Sequence, residues 1–517
     1  MKKTITIVIC SLLLGCSPDS SSNERETIAV IGASDIDQYF ESVKSHSAEL
    51  RSFLGRFPKG ADLHNHLDGS IYAETYIAWA AADGKCVRLT TMSLSLPPCD
   101  QEGDELPVAD VINDVGIVNE LIDSLSVRNY GLRPISGHDQ FFGTFGRFYA
   151  ATVGREADML ADTTARASRQ NILYLELMQT FGMEEAIAIG KDHKEFADLG
   201  DLDALLTNPA LEDLVATTQS KTDAVERDLK HLQQCNGSES ADGCDVKVRY
   251  LATVLRSFSR SEVAAQVLLA FKLVERDSRY VGLNLAMPED MPSILADYSW
   301  QMELIRELAK RFPVAAQGVT LHAGELALGL VPPRDLRFHI GEAVNVAGAK
   351  RIGHGTSVAY ENDFETLLRT MSEREILVEI NLTSNQIILG VVGDEHPIGL
   401  FRRYDVPIAL STDDEGVARG DLTQEYQIAV EMENISYAEL KQLSRNSLAY
   451  SFLPGDGLFT TISDASPVAA CEKEVLGSKV PSVTCSAFLT KSEKAQAQWE
   501  LERRFREFDT TYMWPVK

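Results

Sequence analysis

Two imidazoles and a carboxylate crowd the stretch Pro58-Lys-Gly-Ala-Asp-Leu-His-Asn-His-Leu-Asp-Gly-Ser70. If Gly60 to His66 is a strand, alternation turns His64 and His66 to the same face, where they can share one metal ion. Asp68 and Gly69 then fall where the chain turns, a place that aims a carboxylate at a ligand. A lone H-x-H describes a pair of buried or surface histidines equally well. Three later stretches supply what a divalent-metal hydrolase would still need. Gly318-Val-Thr-Leu-His-Ala-Gly-Glu325 ends in His322 and Glu325, Arg351-Ile-Gly-His-Gly-Thr356 holds His354 between glycines, and Pro407-Ile-Ala-Leu-Ser-Thr-Asp-Asp414 ends in two adjacent carboxylates. Each puts polar chemistry just past a short apolar strand, as a (β/α)8 barrel carries its active site. Ligands of the His/His/His/Asp type suit zinc or a similar borderline metal, with water completing the shell. Singly, His354 also reads as a structural turn residue, and Asp413-Asp414 as a cap on the following helix.

Taken together and in this order, HNHLDG, TLHAGE, RIGHG and STDD resemble the adenosine deaminase family of metal-dependent hydrolases, from about Phe57 to about Phe452. The resemblance implies that His64, His66, His322 and Asp413 hold one Zn2+ per chain, which lowers the pKa of a water toward about 7. It implies that His354 orients that water and takes its proton. Glu325, kept protonated by its surroundings, would deliver a proton to a ring nitrogen as oxygen adds to the neighbouring carbon. Asp414 would hydrogen-bond the purine or the attacking water, and Asp68 a ribose hydroxyl. The expected reaction turns adenosine or 2′-deoxyadenosine plus water into inosine or 2′-deoxyinosine plus ammonia.

Two departures stand out. Where the family usually has Leu-Ala-Gly-Asp-Glu, this chain reads Leu285-Ala-Met-Pro-Glu289. Met287 adds bulk and Pro288 has no N–H, which leaves the Met287 N–H as the backbone contact to a purine. Leu382-Thr-Ser-Asn385 followed by His396-Pro397 looks closer to the secreted, growth-factor-like branch, whereas HNHLDG looks closer to the cytosolic one. The altered stretch motivates a second substrate reading: adenine, or an N6- or 5′-modified adenosine. A non-catalytic nucleoside-binding lipoprotein is the third, and Glu325 argues against it, because binding alone does not require a general acid.

The elements that must position these residues read as apolar runs separated by amphipathic segments, the alternation of parallel βα units. Strands are expected at Gly60 to His66, Ile172 to Met178, Val246 to Leu255, Tyr280 to Ala286, up to His322, up to His354, at Ile376 to Leu382, and up to Thr412. These make an α/β (β/α)8 TIM barrel over 56–455, with a helical segment at 27–55 expected to cover its closed bottom and a C-terminal extension at 456–517. That extension carries a charged helix near Ser492 to Phe508, packed on the outside. The polar stretch from Gly182 to Asp245 is long for a βα connection and should hold helices of its own. Phe142 and Phe145 lie one helical turn apart. A similar aromatic helix gates the pocket in the family, and core packing accounts for the same stripe.

The formal net charge is −27 with no Lys/Arg-rich block, which excludes a polyanion-binding surface and leaves a small-molecule purine nucleoside as the expected partner. Residues 1–15 read as a signal peptide, with Lys2 and Lys3 ahead of an apolar stretch too short to span a membrane. Leu13-Leu14-Gly15-Cys16 resembles the lipobox of bacterial lipoproteins, with Cys16 lipidated and 16–26 a flexible tether. An ordinary signal peptide is the alternative. Six further cysteines fall into near neighbours, Cys86 and Cys99, Cys235 and Cys244, Cys471 and Cys485. They read as three disulfide-closed loops in an oxidising compartment. The expected location is the cell envelope, anchored by lipid on the periplasmic face, with Ser17 compatible with outer-membrane sorting.

Overall fold

The computed structural model describes residues 33–100, 103–196, 198–235 and 241–512. Eight parallel strands, buried along most of their length, form the centre: β1 (Gly60–His66), β2 (Ile172–Gln179), β3 (Lys247–Leu255), β4 (Tyr280–Ala286), β5 (Thr320–Ala323), β6 (Arg351–His354), β7 (Leu377–Ile380) and β8 (Ile408–Leu410). The Val, Leu and Ile that dominate β2, β3, β4, β7 and β8 reflect helices covering the outside while side chains fill the inside. Hydrogen bonding orders them as two half-barrels, β1-β2-β3-β4 and β5-β6-β7-β8. Single bridges close the ring, Asn65 with Asp413 and Leu283 with Val319. At the first seam the His66 N–H donates to Asp413 O and the Asp413 N–H to His64 O, both at 2.9 Å. The fold is the expected (β/α)8 barrel.

Two strand ends fall short of expectation. β7 stops at Ile380 because Leu382 opens the helix Leu382–Leu389, and the Glu425 carboxylate accepts from the Leu382 N–H at 2.7 Å. β8 stops at Leu410, beyond which Asp413 crosses to the edge of β1. The Gly182 to Asp245 stretch does hold helices, Met183–Asp192, Leu202–Leu206 and Pro209–Gln233.

At the bottom, the helix Tyr437–Ala449 lies against the start of β1, where Ser444 Oγ donates to Pro58 O at 2.9 Å and the Ala61 N–H to Ser447 Oγ at 2.8 Å. Gly60 is required there: its φ is +71°, and a Cβ would sit 2.4 Å from Ser444 O. The helices Ala33–Val43 and Ser47–Arg56 do not cover this end alone. They share an aromatic cluster with the C-terminal helix Glu493–Thr511, in which Phe53 meets Phe508 at 5.0 Å and Phe57 meets Phe505 at 5.6 Å between ring centres.

The disulfides join Cys86 to Cys99, Cys235 to Cys244 and Cys471 to Cys485. Two small antiparallel sheets were not anticipated, one pairing Cys86–Arg88 with Ser93–Ser95 and Glu105–Pro107, the other pairing Phe459–Thr461 with Ser466–Pro467. Their strands are too short for any periodicity to register. Cys16 and the 16–26 tether lie outside the described residues, among which no helix is long and apolar enough to cross a membrane.

Candidate metal centre

The four expected ligands converge at the strand exits. His64 Nε2 is 3.1 Å from His322 Nε2 and 3.3 Å from Asp413 Oδ1. His66 Nε2 is 3.4 Å from each of the same two atoms. Ligands about 2.0–2.1 Å from a tetrahedral zinc stand about 3.3 Å apart, so these separations fit the ion. Asp413 reaches the cluster by a left-handed turn, φ +58°. His354 and Met287, at φ +67° and +98°, do the same at the ends of β6 and β4. Three non-glycine residues in this region around one site mark backbone strain held by the surroundings.

Hydrogen bonds behind the ligands set their tautomers. His64 Nδ1 donates to Glu379 Oε2 at 2.7 Å and His322 Nδ1 to Asn284 Oδ1 at 2.9 Å, which leaves both Nε2 lone pairs facing the centre. Glu379 is itself held by Thr320 Oγ1 at 2.8 Å and Arg351 Nε at 2.6 Å, and Arg351 continues to Glu176 at 2.6 Å. Ser384 Oγ donates to the other Asp413 oxygen at 2.6 Å. Burial opposes a proton on His64, yet bonds to Asp413 and Glu379 outweigh it and raise that imidazole to about 10. Burial likewise opposes the Asp413 charge, and His64 and His66 overcome it to hold the carboxyl well below its usual range. The ligand atoms of His64, His66, His322 and Asp413 all lie within 4.8 Å of one another, the place a cation would take.

Glu325 and Asp414 stand beside this cluster in the opposite state. Burial first, and the Asp413 charge second, push both carboxyls well above the usual range, which favours their protonated forms. Glu325 Oε1 lies 3.6 Å from His354 Nδ1. Its turn is pinned by Glu289, whose carboxylate accepts from the Gly324 and Glu325 N–H groups at 3.0 and 2.8 Å and from His339 Nδ1 at 2.5 Å. Asp414 Oδ1 is buried against Gly69, where a Cβ would fall 1.5 Å from it, and it has no hydrogen-bond partner among the described residues. Asp68 and His66 line a cavity of ≈ 280 Å³ together with Tyr149, Glu156, Glu184 and Lys221. On the helix Gly137–Thr152, Phe142 and Phe145 are half-buried and Phe141 and Phe148 form the core face.

Glu379, Asn284, Glu289 and Ser384 were not singled out from the sequence. A lone acid or amide inside an apolar strand is the available signal, as in Leu-Val-Glu-Ile and Gly-Leu-Asn-Leu, because such a group must find a buried partner.

The adenosine deaminase family model matches residues 217–464, which include His322, Glu325, His354, Asp413 and Asp414 but not β1. Over that stretch, just under half of its length, the chain is similar to the adenosine deaminase family. An adenosine deaminase from Pectobacterium atrosepticum is 31% identical over 211 residues, 40% of this chain and 56% of the relative. One from Clostridium perfringens is 26% identical over 209 residues, 40% and 57% respectively. The chain thus spans little more than half the length of these curated relatives. Among solved structures, an amidohydrolase from Burkhoderia ambifaria with bound Zn covers 89% of this chain and 94% of its own, with 15% identity and a TM-score of 0.51. The arabidopsis protein ADAL complexed with IMP covers 78% and 94%, with 21% identity and a TM-score of 0.50. At these identities the likeness concerns the barrel alone.

Proposed function

We propose that the protein is a zinc-dependent deaminase of purine nucleosides, converting adenosine or 2′-deoxyadenosine and water to inosine or 2′-deoxyinosine and ammonia. The observation that carries this reading is the convergence of His64, His66, His322 and Asp413 at the strand exits with the buried Glu325 beside them. His64, His66, His322 and Asp413 would hold the zinc, which when bound supplies the Lewis acidity that makes water nucleophilic near neutral pH. Glu325 donates its proton to the ring nitrogen next to the amino-bearing carbon, so that an aromatic ring can accept the oxygen. Asp414, with an oxygen unpartnered, binds the purine or the attacking water. His354 orients that water, and Asp68 faces the sugar from the wall of the cavity. An uncharged nucleoside is favoured over a 5′-nucleotide such as the IMP of the arabidopsis structure. The cavity is lined by Asp68, Glu156, Glu184 and Glu185, and its basic residue Lys221 is already paired with Glu156 at 2.9 Å, a field that repels phosphate.

The same reading places the enzyme in the cell envelope, anchored through lipid on Cys16. Three disulfides suit an oxidising compartment, and Leu13-Leu14-Gly15-Cys16 supplies the lipidation motif. An N6- or 5′-modified adenosine is the second reading, motivated by Met287, which holds φ +98° where glycine is the natural occupant, and by Pro288.

The test is ammonia release by zinc-loaded protein lacking residues 1–16, with adenosine, 2′-deoxyadenosine, adenine and AMP side by side. Release from the nucleosides, lost with a chelator and reduced roughly 100-fold or more in Glu325→Gln at unchanged zinc content, is expected. Stoichiometric zinc with no release from any of the four would defeat the reading. Labelling by fatty acid in the full-length chain, lost in Cys16→Ser, tests the anchor.

A further inference from the structure

Asn385 and His396 lie behind His354, away from the ligand cluster, and both are buried. The hydrogen bonds between them run in one direction only. The Ile398 N–H can only donate, and it meets His396 Nδ1 at 3.2 Å, so that nitrogen holds a lone pair. In the neutral ring the proton is then on Nε2, which donates to Asn385 Oδ1 at 3.1 Å. The amide is thereby fixed with its NH2 toward His354 Nδ1, 2.8 Å away. His354 Nδ1 accepts, and its own proton sits on Nε2, the nitrogen 3.9 Å from Asp413 Oδ2. Asn381 Nδ2, 3.4 Å from both ring nitrogens, distinguishes neither. Burial holds His396 down to about 4, which keeps its ring neutral.

We propose that Asn385 and His396 are a positioning pair that fixes the tautomer and plane of His354, so that this ring presents an N–H to the attacking water and not a lone pair. The role of the water rests on the deaminase reading, whereas the tautomer does not. In this tautomer Nε2 already carries its hydrogen, so His354 meets the water as a donor. The directing element is a main-chain N–H two residues past His396, which no side-chain rotation can reverse.

Ring 15N shifts of histidine-labelled, zinc-loaded protein read the tautomers directly, with His354→Gln and His396→Gln used for assignment. Both rings are expected as Nε2–H, and an Nδ1–H form of either overturns the proposal whether or not any substrate is turned over. Kinetically, Asn385→Asp, which removes the donor to His354, and His396→Leu are expected to lower kcat roughly 10- to 100-fold at unchanged KM and zinc content. His396→Gln keeps a donor for Asn385 and an acceptor for Ile398, and should stay within a few fold of the parent. Equal loss in Gln and Leu, or no loss in Leu and Asp, would overturn the positioning role. If no variant and no parent turns over nucleoside, the deaminase reading fails and the ring shifts still decide the pair.

Discussion

Met287 stands in a conformation that L side chains rarely adopt, and the loop tolerates it because Glu289, two residues on, anchors the segment to the Glu325 turn. A left-handed non-glycine residue costs about 1–2 kcal/mol. Met287→Gly is therefore expected to leave the urea midpoint unchanged or raised, and Met287→Val, which adds β-branching at the same φ, to lower stability by roughly 1 kcal/mol or more. Gly353 is constrained differently. A Cβ there would meet His64 Cε1 at 2.6 Å and Nδ1 at 2.9 Å. Gly353→Ala must displace a ligand ring, and chelator competition should show zinc affinity reduced roughly 10- to 100-fold. At this scale, the reactive residues were legible because they recur at strand exits with a spacing that only shared chemistry explains. His64 and His66 announce themselves as H-x-H, and His322 and Glu325 as H-x-x-E. Glu379 and Asn284 do not, because one polar residue in an apolar strand does not say which ring it will hold.

Between elements, Glu425 is the tie that holds the helix Leu382–Leu389, and with it Ser384 and Asn385, against the site. Its carboxyl bonds the Leu382 and Thr383 N–H groups and the Thr383 hydroxyl, in the manner of a cap supplied by a distant helix. Burial is the main cause that raises it to about 8, with those donors pulling the other way. Because the folded state keeps a proton that the unfolded chain releases near pH 4.5, this group's contribution is fully present below that pH. It is lost as pH rises toward about 8. Glu361, raised to about 7 by burial where it accepts from the Ile340 N–H, acts with the same sign. Urea midpoints measured from about pH 5 to pH 8 should fall, and Glu425→Gln should flatten that fall; an unchanged slope would reject the assignment. The strands were readable as apolar runs, yet Ile376 to Leu382 is one such run, and nothing local reveals that Glu425 starts a helix inside it.

Across the whole molecule, the chain returns to its own beginning. The aromatic residues of Ser47–Arg56 and Glu493–Thr511 share one cluster under the barrel, so the helical segments at the two ends brace each other. Neither partner is visible from the other in sequence, which is why the N-terminal helices were expected to cover the bottom and the C-terminal helix to pack on the outside. The same distance in sequence separates the metal ligands. His64 and His66 belong to the first half-barrel and His322 and Asp413 to the second, and the seam beside them is a single bridge reinforced by Thr412 Oγ1 on Asp62 at 2.6 Å. The ion would therefore be a rivet across the joint: neither half by itself offers more than two ligands, and occupancy reports that the circle has closed. Stripping the metal should speed hydrogen exchange at the His66, Asp413 and Leu283 amides well before the ladder between β2 and β3, and a uniform response around the ring would show that the joint carries no special dependence on it.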